Sequence, residues 1–230
     1  MTSKPPCNIL LAVYFSLYDK DLMTEPTIPY DQRIARVLVR PLVNSPVTPN
    51  QITILTLVFA LSGAAMLAVG DPVYANWGAG VFIFSRFLDH FDGELARQKQ
   101  MTSRLGYYLD YISGSLSYGA LFLCLGIGFR DGQLGAWAMA LGGAGAFSAV
   151  ASMFLNLGID KASGDIDSDA GEAVGYPGLA GFELEDGIYI LGPITWVGWL
   201  EPFFIAAGVG ASIYCLWTCW ILISLRRKSQ

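Results

Sequence analysis

The sequence predicts an all-α integral membrane protein with six transmembrane helices, preceded by an N-terminal amphipathic juxtamembrane helix. Three observations predict it. Hydrophobic residues make up 53% of the 230-residue chain and Asp, Glu, Lys and Arg only 14%, whereas soluble domains carry about 25% charged residues. The apolar residues fall into runs close to the ~20 that a helix needs to cross a bilayer. The basic residues gather at alternate ends of these runs. The length fits one membrane domain, which we bound at 51–230, after a cytoplasmic N-terminal segment 1–50 with an interfacial helix.

In chain order, Asn8 to Leu17 is apolar but too short to span. Lys4 precedes it, yet no small-residue cleavage site follows, so it reads as an interfacial or partner-packing segment. Tyr30 to Asn44 reads as an amphipathic helix: Ile34, Val37, Leu38 and Leu42 follow helical spacing, and Arg33, Arg36 and Arg40 supply a basic side. Such a helix beside a span lies at the lipid headgroup boundary. Thr48-Pro49 opens the first span, with Thr48 as N-cap and Pro49 in the first turn. The spans are expected at about 51–69, 74–97, 104–128, 134–157, 184–200 and 202–225, with Gly192-Pro193 breaking the fifth. Gly142 to Ala146, in the fourth, are small residues that let backbones approach.

Residues 158–183 read as a polar, solvated loop. Its Asp165-x-Asp167-x-Asp169 starts like a calcium-binding EF-hand loop, but Ala170 and Tyr176 stand where that loop needs Gly and Glu. Cys7, Cys124, Cys215 and Cys219 form no CxxC pair, and apolar packing suits them better than metal binding. Arg33, Arg36, Arg40, Arg97, Lys99, Arg104, Lys161, Arg226, Arg227 and Lys228 all fall on one side of the expected spans, and Arg130 on the other. By the positive-inside rule, both termini are then cytoplasmic. The net charge of −5 gives no reason to expect a nucleic-acid partner.

One stretch stands out, from Asp89 to Gly114. It puts Asp89, Asp92 and Arg97 near the end of the second span and Asp110 near the start of the third. Ionisable residues in such places mark function by default. Asp89 and Asp92, three apart, share a helix face, and Gly106, Asp110 and Gly114 share another. A tight turn between the helices would bring the faces together, and a cluster of carboxylates with little positive charge nearby stays ionised only around cations. Hard oxygen ligands suit Mg²⁺, Mn²⁺ or Ca²⁺. His90, the chain's one histidine, points about 100° away from Asp89 and reads as an interface residue. Glu94 and Glu185-Asp186 read as solvated charges.

The stretch resembles the signature of the CDP-alcohol phosphatidyltransferases, D-x2-D-G-x2-A-R-x8-G-x3-D-x3-D. Asp89, Asp92, Gly93, Ala96, Arg97, Gly106 and Asp110 match it in type and spacing, and Thr48-Pro49-Asn50 resembles the family's entry to the first span. The resemblance covers about residues 30–157. It implies a phospholipid-biosynthesis enzyme that moves a phosphatidyl or other phospho-alcohol group from a CDP-linked donor to a hydroxyl acceptor, releasing CMP. It implies Asp89, Asp92 and Asp110 as ligands of Mg²⁺ or Mn²⁺, two ions in all. Gly93, Ala96 and Arg97 would line the CDP site, and Gly106 would keep the helices close. The implied partners are a lipid donor such as CDP-diacylglycerol, a small alcohol acceptor, the bilayer and a second copy of the chain. The implied place is the cytoplasmic face of a bacterial inner membrane.

Gly114 departs from the signature, whose last Asp completes the metal site and serves as general base. Glycine can do neither. Three readings stay open: a substitution that traps a substrate complex, a subgroup that uses another base such as Asp110 or metal activation alone, and an inactive relative that still binds CDP and metal. The completeness of the remaining motif favours the first.

Overall fold

The computed structural model describes residues 30–163 and 184–228. The segment 8–17, Cys7 and the acidic run 165–169 lie outside them. Every regular element among the described residues is a helix, with no strand among them. They form α1 (Tyr30–Leu38), α2 (Arg40–Val43), α3 (Pro49–Leu67), α4 (Pro72–Lys99), α5 (Arg104–Gly128), α6 (Ala136–Ser163), a 3-10 helix (Leu184–Ile190), α7 (Leu191–Trp196) and α8 (Leu200–Lys228).

The long helices start where the sequence supplies a cap. Thr48 Oγ1 accepts from the Gln51 N–H at 3.4 Å, while Gln51 Oε1 accepts from the Thr48 N–H at 2.9 Å, a reciprocal capping box ahead of Pro49. Asp71 caps α4 through the Val73 N–H at 2.8 Å, and Ser103 caps α5 through the Gly106 N–H at 3.0 Å. Each cap satisfies an orphan donor of the first turn.

Among the described residues four helices, α3, α5, α6 and α8, are long and apolar enough to cross a membrane. α4 has 28 residues, about 42 Å at 1.5 Å per residue, but carries the motif charges. The span expected at about 184–200 is instead a seven-residue 3-10 helix followed by a six-residue α-helix that ends at Trp196, and Leu200 already begins α8. Pro193 explains the break: it donates no N–H, and its ring would clash with the carbonyl of Tyr189 in a continuous helix. The chain winds tightly before the proline and restarts around it. α6 also runs past the expected loop boundary at 158, to Ser163.

Contacts along the helices fix the path. Thr53 of α3 meets Asp92 of α4 at what we call the motif end, and Gly70, after α3, abuts Gly128 of α5 at the far end. Met153 and Asp160 of α6 face Gly114 and Tyr111 of α5, so α6 returns to the motif end. The 3-10 helix starts back from there, because the Tyr189 hydroxyl donates to Asp31 of α1 at 3.1 Å. Gly192 abuts Ile83 midway along α4, and Phe204 of α8 stacks on Phe129 at the far end, with ring centroids 5.7 Å apart. α8 then runs parallel to α6, pairing Gly208 with Leu141, Ser212 with Ser148 and Leu222 with Gly158. Among the described residues the path thus passes between the two ends six times, the fifth time through the short 3-10/α7 segment. Trp77, Trp137, Trp196 and Trp199 are exposed in the half towards the far end.

Two glycine crossings hold the bundle. A Cβ on Gly63 would lie 2.7 Å from the Phe82 backbone nitrogen, and one on Gly126 2.8 Å from the Ala138 carbonyl oxygen. Gly126→Leu should therefore lower the melting temperature of the detergent-solubilised protein, by the ~1–3 kcal/mol or more that overpacking costs. Gly143→Ala, with nothing within 4 Å of the added carbon, should leave it unchanged or raise it.

Candidate metal centre

α4 and α5 carry the motif, yet no Cα pair between them comes within 8 Å among the described residues. α3 packs against both and wedges them apart. The opening that results is crossed by side chains: Phe82 and Arg86 of α4 reach the Tyr118 ring of α5, at 6.2 Å between ring centroids and 5.1 Å from guanidinium carbon to centroid. Gly106, expected to draw α4 and α5 together, instead has Asn50 of α3 as its neighbour, 3.4 Å from where a Cβ would sit.

Into this opening the helices project Asp89, Asp92 and Asp110, each offering an oxygen within 4.8 Å of the others. Asp92 is buried and Asp89 and Asp110 are half-buried. Asp92 is held on both oxygens: Oδ1 accepts from the Gly93 N–H at 2.7 Å, and Oδ2 from the Thr53 hydroxyl. Asp89 Oδ2 accepts from Arg86 Nη2 at 2.8 Å. Asp89 Oδ1 is buried with no hydrogen-bond partner among the described residues. A buried carboxylate oxygen without a donor costs free energy, and a hard divalent cation is the ligand that three converging carboxylates suit. The residues present therefore fit a Mg²⁺- or Mn²⁺-type ion.

Glu94, expected to be solvated, has a side chain only 2% exposed. Its Oε1 accepts from Arg36 of α1 at 3.2 Å and from Arg97 at 3.0 Å. Burial is tolerable because two guanidinium groups share the carboxylate. The Arg97 guanidinium lies alongside Gly93, 3.7 Å from where a Cβ would sit, and is partly exposed. Ala96 is half-buried on the same helix. His90 sits at the interface with α1, its Nε2 2.7 Å from Asp31 Oδ2. Burial alone would raise the Asp31 carboxyl, but the hydrogen bond and charge of His90 outweigh it and hold the group at about 2.

Gly114 is buried on α5 one turn beyond Asp110, and a Cβ there would lie 2.6 Å from the Met153 terminal methyl. The space of the signature's last carboxylate is filled by the flexible end of a methionine.

Sequence reasoning missed several of these residues. Arg86 was legible as a lone cation inside an apolar run. Thr53, Asp31 and Tyr189 were not, because their partners lie 39 to 158 residues away. Asp160, which accepts from the hydroxyls of Tyr107 and Tyr111, fell in a stretch read as loop.

A family model described as CDP-alcohol phosphatidyltransferase matches residues 46–172, more than half of the chain. The bifunctional IPC transferase and DIPP synthase of Thermococcus kodakarensis is 40% identical over 75 residues, which are 30% of this chain and 16% of that protein's length. Two crystal structures of Mycobacterium tuberculosis phosphatidylinositol phosphate synthase are similar in fold. The one with CDP-DAG bound has a TM-score of 0.63 at 21% identity, over 83% of this chain and 94% of that one. The one with manganese and citrate has a TM-score of 0.60 at 22% identity, over 82% and 88%.

Glu94→Ala should leave Arg36 and Arg97 without their shared carboxylate. The expected loss is ~1.5–3 kcal/mol, the range for hydrogen bonds to charged groups. Proteolysis between α1 and α3 should speed up, and unchanged protection would show that this carboxylate does not hold α1 down.

Proposed function

The chain belongs to the CDP-alcohol phosphatidyltransferase family, transferases that pass a substituted phosphate group from a CDP-linked donor to an alcohol, and from that premise we propose how its own residues do so. One observation carries the reading: three carboxylates from two helices meet within 4.8 Å, at the end where Arg36 and Arg97 supply positive charge.

On this reading the donor is a CDP-linked lipid such as CDP-diacylglycerol, and the acceptor a small hydroxylated molecule. The opposite arrangement, a CDP-headgroup donor and a lipid alcohol acceptor, uses the same residues. Asp89, Asp92 and Asp110 hold the divalent metal, which when bound neutralises pyrophosphate charge and polarises the phosphorus. Gly93, lacking a side chain, lets the nucleotide approach the helix. Ala96 keeps that face low, and Arg97 turns from Glu94 towards a phosphate oxygen. The acceptor oxygen forms its bond to the far phosphorus as the bridging P–O bond breaks. CMP leaves with the electron pair. The hydroxyl proton passes to a carboxylate, and Asp110 is the candidate because position 114 has none. Met153 seated against Gly114 supports a chain that works without that carboxylate.

The membrane reading has its own support. Six passes between the ends, with Arg33, Arg36, Arg40, Arg97, Lys99 and Arg104 at one end and Arg130 at the other, fit six spans with the motif cytoplasmic, on our reading in a bacterial inner membrane. α1 and α2 then lie at the headgroups: Ile34, Val37 and Leu38 are exposed, while Ala35 and Val39 pack inward. A homodimer in the bilayer belongs to the same reading. Cysteine labelling that reached residues 164–183 only from the side opposite the motif would overturn the orientation, and cross-linking that captured only monomers in membranes would remove the dimer.

Purified protein with Mn²⁺, CDP-diacylglycerol and a panel of small alcohols should release CMP, and neither Asp89→Asn nor the chelated protein should. Arg97→Ala should raise KM for the donor about tenfold or more, since a charged hydrogen bond is worth ~1.5–3 kcal/mol; Arg36 still pairs with Glu94, so the chain should still fold, with a lower melting temperature. Gly114→Asp separates the remaining readings. A gain of at least ~10²-fold, the lower range of general-base catalysis, identifies Gly114 as a trapping substitution; turnover already present and not increased identifies a chain with another base. Donor binding without CMP release in either form would leave a binding protein.

A further inference from the structure

We propose that Arg86 takes the place of one of two divalent cations, so that this site holds a single ion; the inference rests on the metal reading above. The two motif helices run antiparallel, so Arg86, one turn before Asp89, is level with Gly114 and Tyr118 beyond Asp110. This is the level at which the family signature puts its last carboxylate and the chain has none. The cation is built in. The Arg86 side chain is 8% exposed, Nη2 lies 2.8 Å from Asp89 Oδ2, and its guanidinium carbon stands 5.1 Å from the centre of the Tyr118 ring. The arginine guanidinium keeps its charge in such a place.

The charges balance on one ion. Four carboxylates carry four negative charges, which two divalent cations neutralise. Here Asp89, Asp92, Asp110 and Arg86 sum to two negative charges, which one divalent cation neutralises. The carboxylate geometry agrees. Asp89 gives Oδ2 to Arg86 and keeps Oδ1 buried and without a donor among the described residues. It would thus bridge a guanidinium and an ion, as a carboxylate in a two-metal site bridges two ions. Met153, whose methyl sits 2.6 Å from where a Gly114 Cβ would be, occupies the place on the α5 side where the signature's last carboxylate would stand.

The test is Mn²⁺ binding to the purified chain in detergent, with free ion followed by electron paramagnetic resonance and bound ion by low-temperature spectra. One ion per chain, with no exchange-coupled pair signal, is expected. Arg86→Lys should keep that stoichiometry. Arg86→Gln should tighten the one ion by at least ~10-fold, because it removes a unit charge within a few Å of a divalent ion. The Arg86→Gln, Gly114→Asp, Met153→Ala combination should take up two ions and show the pair signal. Two ions in the unmodified chain, or a folded triple variant that still binds one, would overturn the inference and leave the metal reading standing. No binding by the unmodified chain would overturn both. If the variants fail to fold, the stoichiometry of the unmodified chain decides.

Discussion

Three carboxylate oxygens within 4.8 Å of one another are an electrostatic burden that the surrounding structure has to carry. At an effective dielectric of about 20, each pair of unit charges at that distance repels by roughly 3–4 kcal/mol. Three pairs together match the whole stability of a typical domain, about 5–15 kcal/mol. Two of the three charges are answered by groups of the chain itself. Thr53 and the Gly93 amide donate to Asp92, and Arg86 donates to Asp89. What these groups leave over is the charge of an ion.

The requirement that the cluster face an opening shapes the helices around it. α4 and α5 cannot pack closely and also admit a ligand, so another element has to hold them at a distance. α3 does this. Its Gly63 crosses the backbone of α4, its first turn abuts Gly106 of α5, and its Thr53 reaches Asp92. Met153 and Asp160 of α6 close the other side of α5. The 3-10/α7 segment ties back through Tyr189 to Asp31, an ionised carboxylate that also holds His90, the neighbour of Asp89. Arg36 and Arg97 share buried Glu94 beside this latch. α1 is thus pinned beside the candidate metal centre at two points, with Ile34, Val37 and Leu38 left exposed.

Much of this was legible in the chain because it rests on local chemistry. Periodicity and length fix where helices run, and the caps at Thr48, Asp71 and Ser103 fix where three of the long ones begin. The spacing of Asp89, Asp92 and Asp110 fixes their faces, and the bias of arginine and lysine fixes which helix ends lie together. The fifth passage misled by composition: residues 184–199 are apolar enough for a helix, but Pro193 divides them into two short pieces that still travel between the ends.

By itself, then, the sequence determined a helical membrane protein and the residues of its carboxylate cluster, because helical spacing and transfer energy act over a few residues; the family was legible through the resemblance of the motif to a known signature. Only the tertiary structure decided what surrounds them: that Glu94 is buried between two arginines, that Gly106 meets α3, that Met153 fills the place beside Gly114 and that Arg86 faces Tyr118 across the opening. Each depends on which helix stands beside which. That is set by close backbone crossings at Gly63 and Gly126 and by hydrogen bonds spanning tens of residues, which no local pattern encodes.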